Sequence, residues 1–359
     1  MAPGVKFSPA TLALALLLVA ALCLAWGVPA TARISSHSCV NCHTMHNSQN
    51  GQPMSQEWDP VLGEMRVDAG ANPALTRYGG CVACHTNNTS STTIGDNGAP
   101  VIFNTQQEPD QMLAGGNFYW VAKRGSDGEI DNARKGHNVV TLAPPDTLTQ
   151  PPGGSMPGTL HCAGRSGCHG NPAEDNEFAA IRGSHHSDDT LIDGTTVARS
   201  YRFLGVANDG SFRGVIGQED SDWERTHSAS DHNEYRGAPN ATDSVSALCG
   251  RCHGNLHDPL RFGADTPHFL HPTDVVMPAR GEYLTYNGGA GYNPNAPVAR
   301  QDPVHTVNHG VVNPGSDCVM CLSCHRAHGT ANWKLLRWNY RNDYSPPSGG
   351  CATCHTSKN

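Results

Sequence analysis

The sequence predicts a chain that is mostly coil, with short α-helices and little or no β-sheet. It holds 39 Gly and 25 Pro but only 8 Phe, 6 Trp and 9 Tyr in 359 residues, so side chains that build an ordinary core are scarce. No window keeps a helical hydrophobic period over several turns. The pattern C-x-x-C-H, which is typical of covalent haem attachment, occurs five times. Together these features predict a multihaem cytochrome c fold, in which stacked haems replace the missing side-chain core.

The N-terminal segment has the pattern of a secretory signal peptide, which we assign to residues 1–32. Lys6 precedes the apolar run 11–26, and residues 28–32 end in a small-residue cleavage pattern. We therefore expect an exported mature chain with one domain over residues 33–359, since no linker is long enough to separate two. An uncleaved membrane anchor is the alternative, which the short apolar run disfavours. The formal net charge of −8 argues against nucleic acid as a partner.

Each C-x-x-C-H motif supplies the three protein groups that a c-type haem needs. The two thiols form thioethers with the haem vinyl groups, and the histidine that follows binds one face of the iron as proximal ligand. A single copy would equally suit a zinc site or a redox pair, but neither requires a histidine after every second cysteine. Five copies therefore predict haem c. The cysteines are Cys39, Cys42, Cys81, Cys84, Cys249, Cys252, Cys321, Cys324, Cys351 and Cys354, and the proximal histidines are His43, His85, His253, His325 and His355.

A sixth attachment site is predicted where five residues separate Cys162 from Cys168 and His169 follows as proximal ligand. The longer loop must bulge, and Gly164 and Gly167 make that bulge sterically easy. The alternative interpretation is a disulfide or a pair of free thiols.

The cysteine count supports six sites. Cys23 lies in the predicted signal peptide, and six attachment pairs account for every other cysteine except Cys318. Cys318 would form another C-x5-C-H pattern if it replaced Cys321, but Cys321 with Cys324 has the common spacing, so Cys318 is interpreted as a spare thiol. The predicted cofactor is thus haem c, six groups with one iron each.

The chain has 20 histidines, far more than six proximal ligands require. This excess predicts haems with two histidine ligands each, whose irons are closed to substrate and pass electrons. The predicted distal ligands are His37, His46, His137, His186, His309 and His328, with His185, His257 and His271 in reserve.

The expected partners of these histidines follow from their positions along the chain. A histidine three residues after a proximal one cannot reach the far face of the same haem, because three residues span about 10 Å at most. It should therefore serve a neighbouring haem. The expected pairs are His46 with His85, His328 with His355, His137 with His43, His309 with His169, and His186, in preference to His185, with His253.

His37 lies two residues before Cys39 and close to the predicted mature N-terminus. It too cannot cross to the far face of its own haem. A short N-terminal arm would instead carry it to a haem of the next molecule, and the chain would then be one link in a head-to-tail homopolymer. The alternative is a solvated terminal histidine.

Specific strings extend well beyond the attachment motifs, at residues 37–48, 115–121, 134–140, 160–162 and 321–329. These strings resemble the extracellular cytochrome nanowires of metal-reducing bacteria, in particular the hexahaem outer-membrane cytochrome S type. The resemblance implies largely loop structure, stacked haems, and filaments in which the N-terminal histidine ligates a haem of the adjacent subunit. Carried over to this sequence, His37 would ligate the haem of Cys321, Cys324 and His325. The third motif departs from the family, which has C-x-x-C-H followed by a further histidine.

These features predict an exported electron-transfer protein, extracellular or at the cell surface, with other redox proteins or extracellular electron acceptors as partners. A monomeric periplasmic or outer-membrane-associated carrier is the main alternative. An enzyme, such as a multihaem nitrite or hydroxylamine oxidoreductase, would need an iron with an open coordination site. The surplus of histidines disfavours that alternative.

Overall fold

The computed structural model describes residues 39–59, 62, 64–67, 70, 75–95, 97–122, 130–143, 148–186, 191–256, 271–306, 309–340 and 350–357. The predicted signal peptide, His37 and His257 lie outside the described residues. Within the described ranges, no helix has the length and apolar character needed to cross a membrane.

Helices are brief, and five of the twelve described helices contain cysteines of an attachment motif. Three motifs lie in or at the end of an α-helix, two lie in 3₁₀ turns, and the third motif lies in a loop. The α-helices are Cys81–Cys84, Tyr119–Ala122, Glu177–Ala180, Val245–Gly250 and Cys321–Cys324. The 3₁₀ helices are Cys39–Asn41, Ile130–Arg134, Tyr201–Phe203, Gly254–Leu256, Gly281–Gly289, Trp333–Leu335 and Gly350–Thr353.

The described strands form six small sheets, one with three strands and five with two. In the three-stranded sheet, Gln56–Asp59 pairs antiparallel with Glu64–Val67 and parallel with Tyr78–Gly79. The antiparallel pairs are Ser48–Gln49 with Gln52–Pro53, Gly205–Asn208 with Phe212–Gly214, Gly217–Gln218 with Glu234–Tyr235, and Val275–Val276 with Cys318–Val319; Thr86–Asn87 pairs parallel with Phe103–Asn104. The predicted fold, mostly coil with short helices and little β-sheet, is confirmed.

The buried apolar side chains form three small clusters, and each cluster lies against an attachment cysteine. The first packs against Cys162, the second against Cys249 and the third against Cys354. Their buried members are Val82, Phe103, Phe118, Val121, Val139, Leu142 and Ala143; Ile192, Tyr201, Val206, Val215, Tyr235, Val245, Leu248, Ala299, Cys318 and Met320; and Met277, Tyr286, Tyr292 and Val298. The core is thus divided along the row of motifs, as expected for a chain poor in large apolar residues.

Three distant segments of the chain cross at glycines. Backbone bridges join Gly329 both to Gly116 and to Gly136. A Cβ on Gly116 would overlap the Gly329 carbonyl oxygen, and a Cβ on Gly136 would lie 2.8 Å from the carbonyl oxygen of His328. Since glycine alone lacks a Cβ, it is the residue that allows this approach. The crossing fixes His328 and His137, which adjoin two of these glycines in the chain.

Replacing Gly136 by alanine is expected to lower the free energy of unfolding by roughly 1–3 kcal/mol, because the new methyl group would overlap Val121 and the His328 carbonyl. Gly254→Ala is the matched control, since a Cβ on Gly254 meets nothing within 4 Å. It is expected to change the free energy by less than about 0.5 kcal/mol. Denaturant titration of both variants measures the difference. Equal effects would show that the crossing is not tightly packed.

Candidate haem sites

The five C-x-x-C-H motifs share one backbone geometry. In each motif, the backbone N–H of the histidine donates to the carbonyl oxygen of the first cysteine, which holds the two thiols and the imidazole within one helical turn. None of the thirteen cysteines in the described ranges forms a disulfide. The N···O distances are 2.8 Å for His43, 3.1 Å for His85, 2.9 Å for His253, 3.1 Å for His325 and 2.9 Å for His355.

The third site reaches the same geometry through its longer loop. The backbone N–H groups of Cys168 and His169 both donate to the carbonyl oxygen of Cys162, at 3.2 and 3.0 Å. The five intervening residues therefore bulge outward without separating the ends. Gly164 has a φ of +85°, and a Cβ on Gly167 would lie 2.6 Å from backbone atoms of the loop itself. Both glycines are needed for the bulge, as the sequence indicates.

Two charged side chains brace this expanded loop. Glu177 accepts hydrogen bonds from the backbone N–H groups of Cys162 and the residue after it, at 2.7 and 3.3 Å. Arg251 donates to the carbonyl oxygens of Arg165 at 3.0 Å and Gly167 at 2.9 Å. Arg251 lies inside the fourth motif, so the fourth motif positions the third.

Glu177→Ala is expected to lower the free energy of unfolding by roughly 1–3 kcal/mol, because two loop N–H groups would lose a charged acceptor. Glu174→Ala is the control, since the Glu174 side chain is exposed and its backbone contacts remain. Its expected effect is below about 0.5 kcal/mol. Denaturant titrations of the two variants would coincide if the brace were unimportant.

Five proximal histidines are held through Nδ1, which leaves Nε2 for a metal. A ring whose Nδ1–H donates to a carbonyl or carboxylate is fixed in the tautomer that binds metal through Nε2. Burial also lowers the pKa of His85, His169 and His325, which favours the neutral ring. The acceptors are the carbonyl oxygens of Pro100 for His85 at 2.9 Å, Arg202 for His169 at 2.9 Å, Pro152 for His253 at 2.7 Å and Lys334 for His325 at 2.8 Å, and the Glu282 carboxylate for His355 at 3.1 Å.

Two of these acceptors lie in turns of the same unusual type, which were not predicted from the sequence. Arg202 and Lys334, with the residue after each, have φ between 48° and 60°. Left-handed backbone costs a non-glycine residue roughly 1–2 kcal/mol, and such strain is found at functional sites. Both turns have the same order of residue types in the sequence. An aromatic, a basic and an apolar residue are followed by leucine at residues 201–204 and again at residues 333–336.

Four proximal histidines lie opposite a second histidine. The distance between the two ring centres is the one expected when both rings bind the same iron. Two Fe–N bonds of about 2 Å, with about 1.1 Å from each nitrogen to its ring centre, place the ring centres about 6.2 Å apart. The structure therefore fits the haem c that the motifs predict. The observed separations are 6.1 Å for His43 with His186, 6.1 Å for His137 with His253, 6.3 Å for His169 with His328 and 6.3 Å for His271 with His355.

These pairs differ from the pairs expected from chain length. That expectation used sequence separation alone, whereas the glycine crossing carries two histidines to the middle of the row. His137, for example, donates through Nδ1 to the carbonyl oxygen of Ala327 at 2.6 Å, 190 residues away. The structure places His137 opposite His253 rather than His43, His186 opposite His43 rather than His253, His328 opposite His169 rather than His355, and the reserve ligand His271 opposite His355.

The remaining candidates have different surroundings. Burial lowers the pKa of His185 to about 4, with a further contribution from His85, and its ring packs against Phe203 with 5.6 Å between ring centres. His46 is exposed. The ring of His309 lies edge-on to His232, at an interplanar angle of 81°. In the described ranges, no facing ring pair joins His46 or His309 to its expected partner.

The six motifs follow one another through space in chain order. Electrostatic interactions between cysteines show which motifs are neighbours. Cys81 and Cys162 are one such pair, and their Sγ atoms and a carboxylate oxygen of Glu177 all lie within 4.8 Å of one another. Each motif is therefore next to the following one, and we call this succession of motifs a row. The neighbouring pairs are Cys42 with Cys84, Cys81 with Cys162, Cys168 with Cys252, Cys249 with Cys321, and Cys324 with Cys351.

Comparisons with known proteins agree with this arrangement. The doubled CXXCH motif family matches residues 309–359, which contain the last two motifs. The C-type cytochrome OmcS of Geobacter sulfurreducens is 27% identical, over 96% of this chain and 87% of that protein. The solved Outer Membrane Cytochrome S filament from the same organism is 26% identical and gives a TM-score of 0.52. The match covers 86% of this chain and 84% of the filament chain.

The cryo-EM structure of OmcS nanowires from Geobacter sulfurreducens shares the fold, with a TM-score of 0.51 at 24% identity over 88% of this chain and 87% of that chain. The motifs, the doubled-motif match and the cytochrome relative together identify the cofactor as haem c, with its iron. The resemblance stated from the sequence is confirmed. The chain resembles the multihaem c-type cytochrome nanowire family, both in sequence and in its coil-rich fold.

Proposed function

We propose that this chain transfers electrons along a row of six haem c groups, each with two histidine ligands. The observation that carries the proposal is the facing of imidazole rings at 6.1 to 6.3 Å in four sites, each combining a proximal histidine with a second one. Two histidine ligands leave an iron no position for substrate, which suits an electron carrier rather than an enzyme. The bound haem supplies an iron that alternates between ferric and ferrous states.

The chain's own residues set the order and closeness of the sites. The backbone N–H of Cys321 donates to the Ser246 hydroxyl at 3.3 Å, which joins the helices of the fourth and fifth motifs. Arg251 joins the fourth motif to the third. Because successive motifs touch in chain order, the six sites support one path from the N-terminal to the C-terminal part of the protein.

Four of the proposed distal ligands within the chain follow the observed ring pairs, and His185 is proposed for His85 because the two interact electrostatically. For the fifth motif we propose His37 of an adjacent subunit, which the resemblance implies. His46 and His309, expected as distal ligands from the sequence, are not assigned an iron in this scheme. The proposed ligands within the chain are His186 for the iron of His43, His185 for His85, His328 for His169, His137 for His253 and His271 for His355.

His328→Ala is expected to convert one haem to a high-spin form, because the iron of His169 would lose a ligand. His309→Ala, the control, should leave all haems low-spin. Optical and electron paramagnetic resonance spectra distinguish the two, and pyridine haemochrome should give six haems per chain for both variants. A high-spin haem in His309→Ala would contradict this scheme and favour the pairing expected from the sequence, in which His309 is also a distal ligand.

The second part of the proposal is a head-to-tail homopolymer outside the cell or at its surface, which passes electrons to other redox proteins or extracellular acceptors. Support comes from the relative whose solved structure is a filament and which covers 86% of this chain. The single row of motifs also suits it, because a row with distinct ends can be continued by the next subunit.

His37→Ala is expected to abolish filaments and to leave one haem per chain high-spin. His305→Ala is the control, since His305 is exposed and bonded to Asp302. Electron microscopy of the exported protein measures both. Filaments that persist in His37→Ala would reject this role of His37, and monomeric wild-type protein would favour the monomeric carrier instead.

A further inference from the structure

A buried arginine follows the proximal histidine of the fifth motif. The Arg326 side chain is 8% exposed. Its Nη1 donates to the carbonyl oxygens of Leu113 at 2.8 Å and Ala114 at 3.1 Å. Its Nε is buried and has no hydrogen-bond partner in the described ranges. The guanidinium is thus held by neutral acceptors and keeps one buried donor unused.

A second arginine is attached to the same motif. The backbone N–H of Arg337 donates to the carbonyl oxygen of Cys324 at 2.8 Å, and its Nε donates to that of Leu322 at 2.7 Å. Its Nη1 reaches the Pro294 carbonyl at 3.3 Å. Its Nη2 is buried, again without a hydrogen-bond partner among the described residues. The fifth motif itself therefore orients Arg337.

The two guanidinium groups and a tyrosine hydroxyl lie together. Arg326 and Arg337 are close enough for their positive charges to repel, and each interacts electrostatically with Tyr235. Tyr235 is 1% exposed, and its hydroxyl makes no hydrogen bond of ordinary geometry in the described structure. The two unused guanidinium donors and the Tyr235 hydroxyl, which lies near Tyr201, are therefore buried and close enough to influence one another electrostatically.

The nearby carboxylate of Glu224 does not neutralise this region. Glu224 is buried and attracts Arg326. Its Oε1, however, accepts the backbone N–H of Asn233 at 2.9 Å. Two cations with one carboxylate leave a buried positive charge, and a buried charge is costly unless it is paired.

We propose that Arg326, Arg337 and Tyr235 form a receptor for a carboxylate, and that its occupant is a propionate of the haem held by the fifth motif. The inference rests on the proposed function. Guanidinium groups match carboxylates in both charge and planar geometry. The haem of the fifth motif is covalently held beside both arginines and brings two carboxylates with it. The receptor would thus satisfy all three donors.

The receptor also affects how readily the fifth haem is reduced. Reduction adds an electron, and a positive charge in a medium of low dielectric constant favours the more negative state. The two arginines therefore raise the reduction potential of this haem relative to a site without them. Removing one of them should lower it.

The test is a spectroelectrochemical titration of the exported holoprotein, with Arg337→Gln compared with wild type. One component of the titration should show at least a tenfold lower equilibrium constant for reduction, which is about 59 mV for one electron. Arg337→Lys, which keeps the charge, should shift it less. Arg280→Gln is the control, since Arg280 is exposed, and its curve should superimpose on that of wild type.

Tyr235→Phe removes the hydroxyl alone and should shift the same component in the same direction, by less. If Arg337→Gln is not recovered as holoprotein, the Tyr235→Phe variant tests the receptor in its place. Superimposed curves for the recovered variants would overturn the receptor. Haem content and low-spin spectra are measured first: missing or high-spin haems in wild type would count against the proposed function, whereas complete low-spin haems with unshifted curves would reject the receptor alone.

Discussion

The facing of imidazole rings at 6.1 to 6.3 Å is the contact on which the rest of this structure depends. The two rings of each pair come from different segments, and several of them take a hydrogen-bond partner for Nδ1 from elsewhere in the chain. His253 takes that partner from Pro152, 101 residues away, and His137 from Ala327, 190 residues away. A site therefore exists only when distant segments are already in place. The brief helices and strands are the local elements that this long-range placement allows.

The same constraint explains why the chain can be so poor in apolar side chains. Three small clusters replace a continuous core, and each touches an attachment cysteine. Between the clusters, backbone groups pack against one another, as at the crossing of Gly116, Gly136 and Gly329. Covalent attachment of a large apolar group beside each cluster would supply the remaining buried surface. Glycine at such a crossing is then a requirement of close backbone packing.

The sequence could predict the features that depend on residues close together in the chain. The attachment motifs close within one turn, and the bulge at Gly164 and Gly167 follows from local sterics, so the motifs could be recognised directly. The partners of those histidines depend on contacts between segments up to 190 residues apart, which spacing does not encode. His328 illustrates this, because its position is set by the Gly115 carbonyl, which accepts its backbone N–H at 2.7 Å. The strings at 115–121, 134–140 and 321–329 marked these segments but not their crossing.

Neighbouring sites are also built from each other's residues. Arg251 of the fourth motif holds the loop of the third, while His328, just after the fifth motif, faces His169 of the third. Ala327, from the same segment, orients His137 at the fourth. A row assembled in this way is cooperative, because a change at one site alters the support of the next. This accounts for the tolerance of the expanded third motif: its geometry is set by Glu177 and by its neighbours, and not by the number of residues between its cysteines.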